Sequence, residues 1–299
     1  MKKYLILLVF MVPVSVFAGK IQLYLENDVP FHDDSDYSHG TRIGYETENN
    51  IRFGLQQQMY TPYDISTEDQ VPGRHPYAGY LAGFAGIRLQ EPVNRRISVY
   101  SDLELQLGVL GPSSLADDTQ KFVHKVIGSK EPKGWKHQLK DEFEVQTSLW
   151  RGFDWRFAGQ NGGWSAHFVP EIGGLLGTLQ IAPGANAEFR FGYGLERLGN
   201  TSEISVRAVK PEKMSVFLLF GAEGRLWLRN ELLEGNARYV HNHDTLTVDM
   251  ETWTGCLKAG IGFGYDKFDV RALVLEGSRE YKTQERRPNY ASLEIGFGF

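Results

Sequence analysis

The chain has 299 residues, a net charge of −5 and one cysteine, Cys256. Mild acidity without a basic arm argues against a nucleic-acid partner, and a single cysteine excludes an intrachain disulfide. Mean hydropathy is −0.34. After the first residues no run approaches the ~20 apolar residues of a membrane helix, which leaves strands of ~9–11 residues as the way such a chain could cross a bilayer.

Met1-Lys2-Lys3, an apolar run from Tyr4 to Val16 and Val16-Phe17-Ala18 before Gly19 form a basic, an apolar and a small-residue region, the pattern of a secretory signal peptide. The expected organisation is a signal peptide over 1–18 and one β-barrel domain over 19–299, with no separate soluble domain and no internal repeat. Twelve strands are predicted near 20–28, 38–48, 51–60, 77–90, 96–109, 139–152, 164–174, 182–194, 213–228, 250–265, 267–280 and 289–299. The clearest runs from Ile97 to Val109. There Ile97, Val99, Leu103, Leu105, Leu107 and Val109 face one way, and Ser98, Tyr100, Asp102, Glu104 and Gln106 face the other, the period of two of a strand with one apolar face. The last strand places Ala291, Leu293, Ile295, Phe297 and Phe299 on one face. An amphipathic strand ending in phenylalanine resembles the assembly signal of Gram-negative outer-membrane barrels.

Asn49-Asn50 and Tyr265-Asp266-Lys267 read as tight periplasmic turns. Segments 29–37, 61–76, 110–138, 229–249 and 281–288 read as longer extracellular loops. The stretch 195–212 is long where a short periplasmic turn is expected. The fold class is therefore all-β: a transmembrane antiparallel β-barrel of about 12 strands, with a short α-helix in the extracellular loop between strands 5 and 6. That helix lies within 111–128. Ser113 or Ser114 is the expected cap, Asp117 and Asp118 suit its first turn, and Gly128 can end it. Leu115, Phe122, Val123, Val126 and Ile127 give it an apolar face, directed either at the barrel or at lipid. Gln120 and His124 share another face.

Strand parity brings four polar clusters to one rim: Glu26-Asn27-Asp28, Asp36-Tyr37-Ser38-His39-Gly40, Arg74-His75-Pro76-Tyr77-Ala78-Gly79, and the Gln120/His124 helix. Asn27 and Asp28 supply hard oxygens suited to Ca²⁺; Asp33, Asp34 and Asp36 are an alternative cation site, and either group could equally be a turn former or a solvated loop. His124 could move protons near neutral pH or simply sit solvated on a loop plug.

Glu26-Asn27-Asp28, the Asp36–Gly40 turn, Tyr60-Thr61-Pro62, Pro76-Tyr77-Ala78-Gly79, and Gly111-Pro112 followed by Gln120, His124 and Gly134-Trp135 together resemble the lipid A 3′-O-deacylase family (LpxR-like proteins). The resemblance runs in order from the first strand to the C-terminal Phe and is most specific over 23–142. It implies a twelve-stranded barrel in the Gram-negative outer membrane, hydrolysis of the 3′-linked acyl ester of lipid A, Ca²⁺ dependence and a phospholipase A2-like mechanism. Carried over by position, His124 would be the general base, Gln120 would orient it or the substrate, Asn27 and Asp28 would hold calcium, and Ser38 stands where a relative has threonine. The chain departs from the family in the loop before strand four. Residues 61–76 contain no lysine, the position of the family's functional lysine falls near Thr67, and Arg74-His75-Pro76 replaces the more usual Asp-Arg-Pro. Arg74 and His75 are the candidates for binding a lipid A phosphate. Two other readings are open: an outer-membrane hydrolase acting on phospholipid, and a structural or porin-like barrel with a decayed site.

Overall fold

The computed structural model describes residues 19–28, 36–160, 162–195, 214–236 and 246–299. The expected signal peptide, Asp33, Asp34 and most of 195–212 lie outside the described residues. The strands are β1 (Gly19–Asn27), β2 (Asp36–Thr47), β3 (Ile51–Thr61), β4 (Ala78–Pro92), β5 (Ile97–Leu110), β6 (Glu142–Gly159), β7 (Trp164–Gly177), β8 (Gln180–Tyr193), β9 (Ser215–Leu226), the two-residue β10 (Arg229–Asn230), β11 (Trp253–Tyr265), β12 (Phe268–Gly277) and β13 (Asn289–Gly298). β10 only pairs antiparallel with the first two residues of β8; the other twelve form the wall.

Each wall strand pairs antiparallel with its neighbours. β8 pairs with β9, and β1 pairs with β13 from Lys20↔Gly298 to Asn27↔Ala291. The sheet is thus closed and has no free edge, as a bilayer requires of strands. The alternation is inverted relative to a water-soluble protein. On β5, Asp102 and Glu104 are buried, whereas Leu103, Leu105 and Leu107 are 43–48% exposed. The polar face lines the lumen and the apolar face meets lipid.

The lumen is filled by paired charges. The Arg52 guanidinium bonds to Asp102 Oδ2 (3.1 Å) and Glu104 Oε2 (3.0 Å); Arg42 reaches the same Glu104 oxygen at 2.6 Å, and Arg88 reaches Asp102 at 2.5 Å. Lys20–Asp269, Arg190–Glu188 and Arg271–Glu294 continue the pattern around the ring.

Gly19 and Phe299 lie at one rim, where they exchange backbone hydrogen bonds. Rings collect there on the outer face, including Tyr45 near Phe53 and Phe299, and Trp164 against Phe191, as in an interfacial aromatic girdle. The tight turns are at this end. Asn50 (φ 58°) and Asp266 (φ 53°) occupy the left-handed region, which Asn and Asp tolerate better than most residues. The opposite, distal rim carries α1 (Ala116–Ile127) and α2 (Glu231–Glu234). Sequence boundaries match to within a few residues except at β6, which extends to Gly159 rather than ending near 152.

Candidate active site at the outer face of the distal rim

Parity separates the rim residues into two groups. On β1, Tyr24 and Glu26 point into the lumen, so Asn27 points outward. On β2 the register shifts between Tyr37↔Tyr60 and His39↔Met59, leaving Ser38 as the extra residue of a bulge. A bulge re-aims side chains: Tyr37 reaches Glu26 in the lumen, while Ser38 Oγ meets Thr61 Oγ1 at 2.6 Å. Asn27 Nδ2 donates to the Ser38 carbonyl at 3.1 Å. Asn27, Ser38 and Thr61 therefore form one linked row on the outer side.

α1 lies against that same outer side, packed on β3 and β4. Gln57 Nε2 holds the 3-10 turn before it by donating to the Ser114 carbonyl at 2.7 Å. The approach is close at Gly79, where a Cβ would lie 2.2 Å from Ser114 Oγ and 2.3 Å from Ala116 Cβ. Ala116, Gln120 and His124, spaced by four, form the buried face of α1. Phe122, Val126 and Ile127 are 60–68% exposed. The apolar face thus points away from the wall, which resolves the alternative left open by the pattern. The expected serine cap is not what starts the helix. Leu115 occupies the N-cap position in a left-handed conformation (φ 60°) without a side-chain cap, because Ser113 is drawn to Asp141 and the Ser114 hydroxyl takes the Ala116 N–H at 3.4 Å, one residue early. Gly128 ends the helix as expected.

Trp135 ties this face to the wall. It is buried with Met59, Ile65, Tyr77 and Ala116, and its Nε1 donates to Gln120 Oε1 at 2.7 Å. Gly134 lets the Tyr77 ring approach to where a Cβ would lie only 2.2 Å away. His124 Nδ1 is bonded to the Lys130 carbonyl. A carbonyl only accepts, so Nδ1 carries a proton, and the neutral ring that makes this bond has its lone pair on Nε2. That tautomer suits a base. Asp28 is buried just beyond β1, and a carboxylate and an amide oxygen are the hard donors that a Ca²⁺ ion takes.

Arg74 and His75 fall in the second group. His75 is buried, stacked on the lumen-facing Tyr60 (5.3 Å, 9°) and edge-on to Tyr281. It helps line a polar cavity of ≈ 120 Å³ in the barrel mouth with Glu26, Tyr37 and Tyr290. Burial pushes its imidazole below the ordinary histidine range, and Asp36 opposes that shift only in part. Arg74 pairs with Glu285 at 2.9 Å. Neither joins the Gln120/His124 face. Asp36 accepts from Tyr281 (2.6 Å) and Gln284 (2.9 Å), a structural role at the mouth.

Two further constellations are present. Glu142, Glu144 and Glu231 place ligand atoms within 4.8 Å of one another, but Thr178 and Arg229 already bond to them. Asp154, His167 and Ser165 are aligned like a hydrolytic triad (2.6 and 3.3 Å), yet all three are buried in the lumen. Sequence reasoning missed Trp135, Thr61 and the Lys130 carbonyl as parts of the site. Trp135 and Thr61 stood inside motifs already singled out; nothing local marks a backbone acceptor.

The family model for outer membrane protein LpxR matches residues 4–299. The chain belongs to the LpxR family. Among solved structures, LpxR from Salmonella typhimurium superposes with a TM-score of 0.79 at 18% identity, covering 94% of this chain and 100% of that one. The β-domain of the Bordetella autotransporter BrkA (TM-score 0.48, 10% identity, 94% and 99% covered) and the NanC porin (0.43, 6%, 94% and 100%) are more distant. No curated protein sequence matches the chain. Family and closed barrel together place the protein in the Gram-negative outer membrane, with the Gly19/Phe299 rim periplasmic and the α1 rim extracellular.

Proposed function

We propose that this protein is an outer-membrane esterase that removes the 3′-linked acyl group of lipid A in the outer leaflet. Family membership supports lipid A deacylation. The observation that supports the chemistry is the Nδ1 hydrogen bond of His124 to the Lys130 carbonyl on the lipid-facing side of the wall, which would leave Nε2 of the neutral ring to act as base.

In this reading His124 Nε2 takes a proton from water as that water attacks the ester carbonyl, and returns it to the leaving oxygen. Gln120, held by Trp135, keeps the base and the substrate in register. Asn27 and Asp28 would hold Ca²⁺, which when bound supplies positive charge for the developing oxyanion. Ser38 and Thr61 fix the Asn27 end of the row. The acyl chains stay in the bilayer beside the exposed apolar face of α1, and only the ester enters the polar seam between helix and wall. The lumen, filled with paired charges, favours this reading over a porin-like one.

The test is fatty-acid release from lipid A by the full chain in detergent micelles, with Ca²⁺ or with a chelator. Release that requires Ca²⁺ and fails in His124→Ala supports the proposal. Release from phospholipid alone would favour the phospholipase-like alternative.

A further inference from the structure

We propose that Lys125, Lys130 and Lys133 form the anion-binding wall of this site and grip the phosphates of the lipid A headgroup. The inference rests on the deacylase reading above. Between Lys121 and Lys140 there are six lysines and one acidic residue, Glu131, in a chain whose net charge is −5. The concentration of positive charge is therefore local.

Two of the six are committed: Lys121 pairs with Asp117 at 2.7 Å and Lys136 with Glu68 at 3.1 Å. Lys125, Lys130 and Lys133 are exposed; among the described residues no carboxylate is in direct ion-pair contact with them, and Asp64 of the facing loop is an electrostatic neighbour of Lys130. Their backbone is held in place. The Lys130 carbonyl bonds to His124, the Lys133 N–H donates to the Ile65 carbonyl at 3.0 Å, and the Leu139 N–H donates to the Tyr77 carbonyl at 2.9 Å. The backbone that carries the three lysines is thus held: Lys125 follows His124 on α1, the Lys130 carbonyl bonds to the base, and Lys133 is tied to the facing loop.

The facing loop cannot do this work. Residues 62–77 hold Asp64, Glu68 and Asp69 and a single cation, Arg74, which is paired with Glu285. Phosphate monoesters next to a hydrolysable ester, at the membrane surface, match flexible point charges on one side of the seam.

The experiment compares wild type, a Lys125→Gln/Lys130→Gln/Lys133→Gln variant and the corresponding triple Lys→Arg variant. Each is the full chain in zwitterionic micelles, checked for folding by heat-dependent gel mobility. Substrates are bisphosphorylated lipid A and the same lipid A stripped of phosphate. The triple Gln variant is expected to raise KM roughly tenfold or more on the phosphorylated substrate, to differ little from wild type on the stripped one, and to be rescued by arginine. An unchanged KM, or equal loss on both substrates, would overturn the proposal. Wild type releasing fatty acid from neither substrate would sink the deacylase reading alone. Binding of phosphorylated lipid A to wild type and to the triple Gln variant then decides: weaker binding in the variant supports the wall, equal binding overturns it. Equal weakening toward phosphatidylglycerol micelles also overturns it, by reducing the effect to attraction for any anionic surface.

Discussion

The indole of Trp135 donates to the side-chain oxygen of Gln120 at 2.7 Å, deep between α1 and the barrel wall. This bond decides which oxygen or nitrogen of the Gln120 amide faces the seam, since an indole N–H can only donate. Trp135→Phe keeps most of the packing and removes the donor. A buried acceptor left without its donor costs about 1–3 kcal/mol. The expected result is a comparable loss of transition-state stabilisation, roughly tenfold in kcat/KM, with the barrel still folded. Kinetics and heat-dependent gel mobility on the same sample check both halves.

Gly79 tests the close seating of the helix. A side chain there would overlap Ser114 and Ala116, on the face that also carries Gln120 and His124. Gly79→Val should therefore lift α1 and lose most activity, while the pairing of β3 with β4 survives because Gly79 keeps its backbone partner Met59. Far-UV circular dichroism unchanged with activity lost is the expected pair of results. Retained activity would mean that the helix is not a structural part of the site.

Low pH should destabilise the mouth. Burial holds the His75 imidazole below its ordinary range, whereas the unfolded chain titrates near ~6.5. As pH falls through ~6.5 the unfolded state binds the proton first, so stability present at neutral pH is lost in the window below it. Unfolding midpoints in urea at pH 8 and pH 5 should differ less for His75→Phe, which can still stack on Tyr60 but cannot titrate.

The luminal network predicts both stiffness and closure. Asp102→Asn removes the carboxylate that pairs with Arg88 and one of the two that pair with Arg52, which keeps Glu104, and breaking a buried pair from one side costs about 3–5 kcal/mol. The variant should unfold at lower temperature in a gel-mobility assay. Steady conductance by the wild-type protein in planar bilayers would contradict a filled lumen.

Most of the fold could be read from the sequence because a membrane barrel writes both environments into one strand: Leu103, Leu105 and Leu107 for lipid, Asp102 and Glu104 for the lumen. The alternation predicts an end to β6 near Gly152, whereas pairing with β5 and β7 carries the strand through to Gly159. The Gln120/His124 face was legible from helical spacing. The direction of the apolar face was not, since lipid and a protein core attract the same residues. Strand parity brings Arg74 and His75 to the same rim as the site but does not fix the side of the wall; that depends on the bulge at Ser38 and on the stacking of His75 over Tyr60. The tautomer of His124 depends on a backbone carbonyl, which no residue type announces.

The account turns on whether His124 at the α1 seam removes an acyl chain from lipid A. Mass spectrometry of lipid A from Gram-negative cells expressing the wild-type chain, beside cells expressing equal amounts of folded His124→Ala, measures this directly. The account predicts a species lighter by the 3′-linked acyl group in the first and intact lipid A in the second. Intact lipid A in both, or the same loss in both, would contradict it.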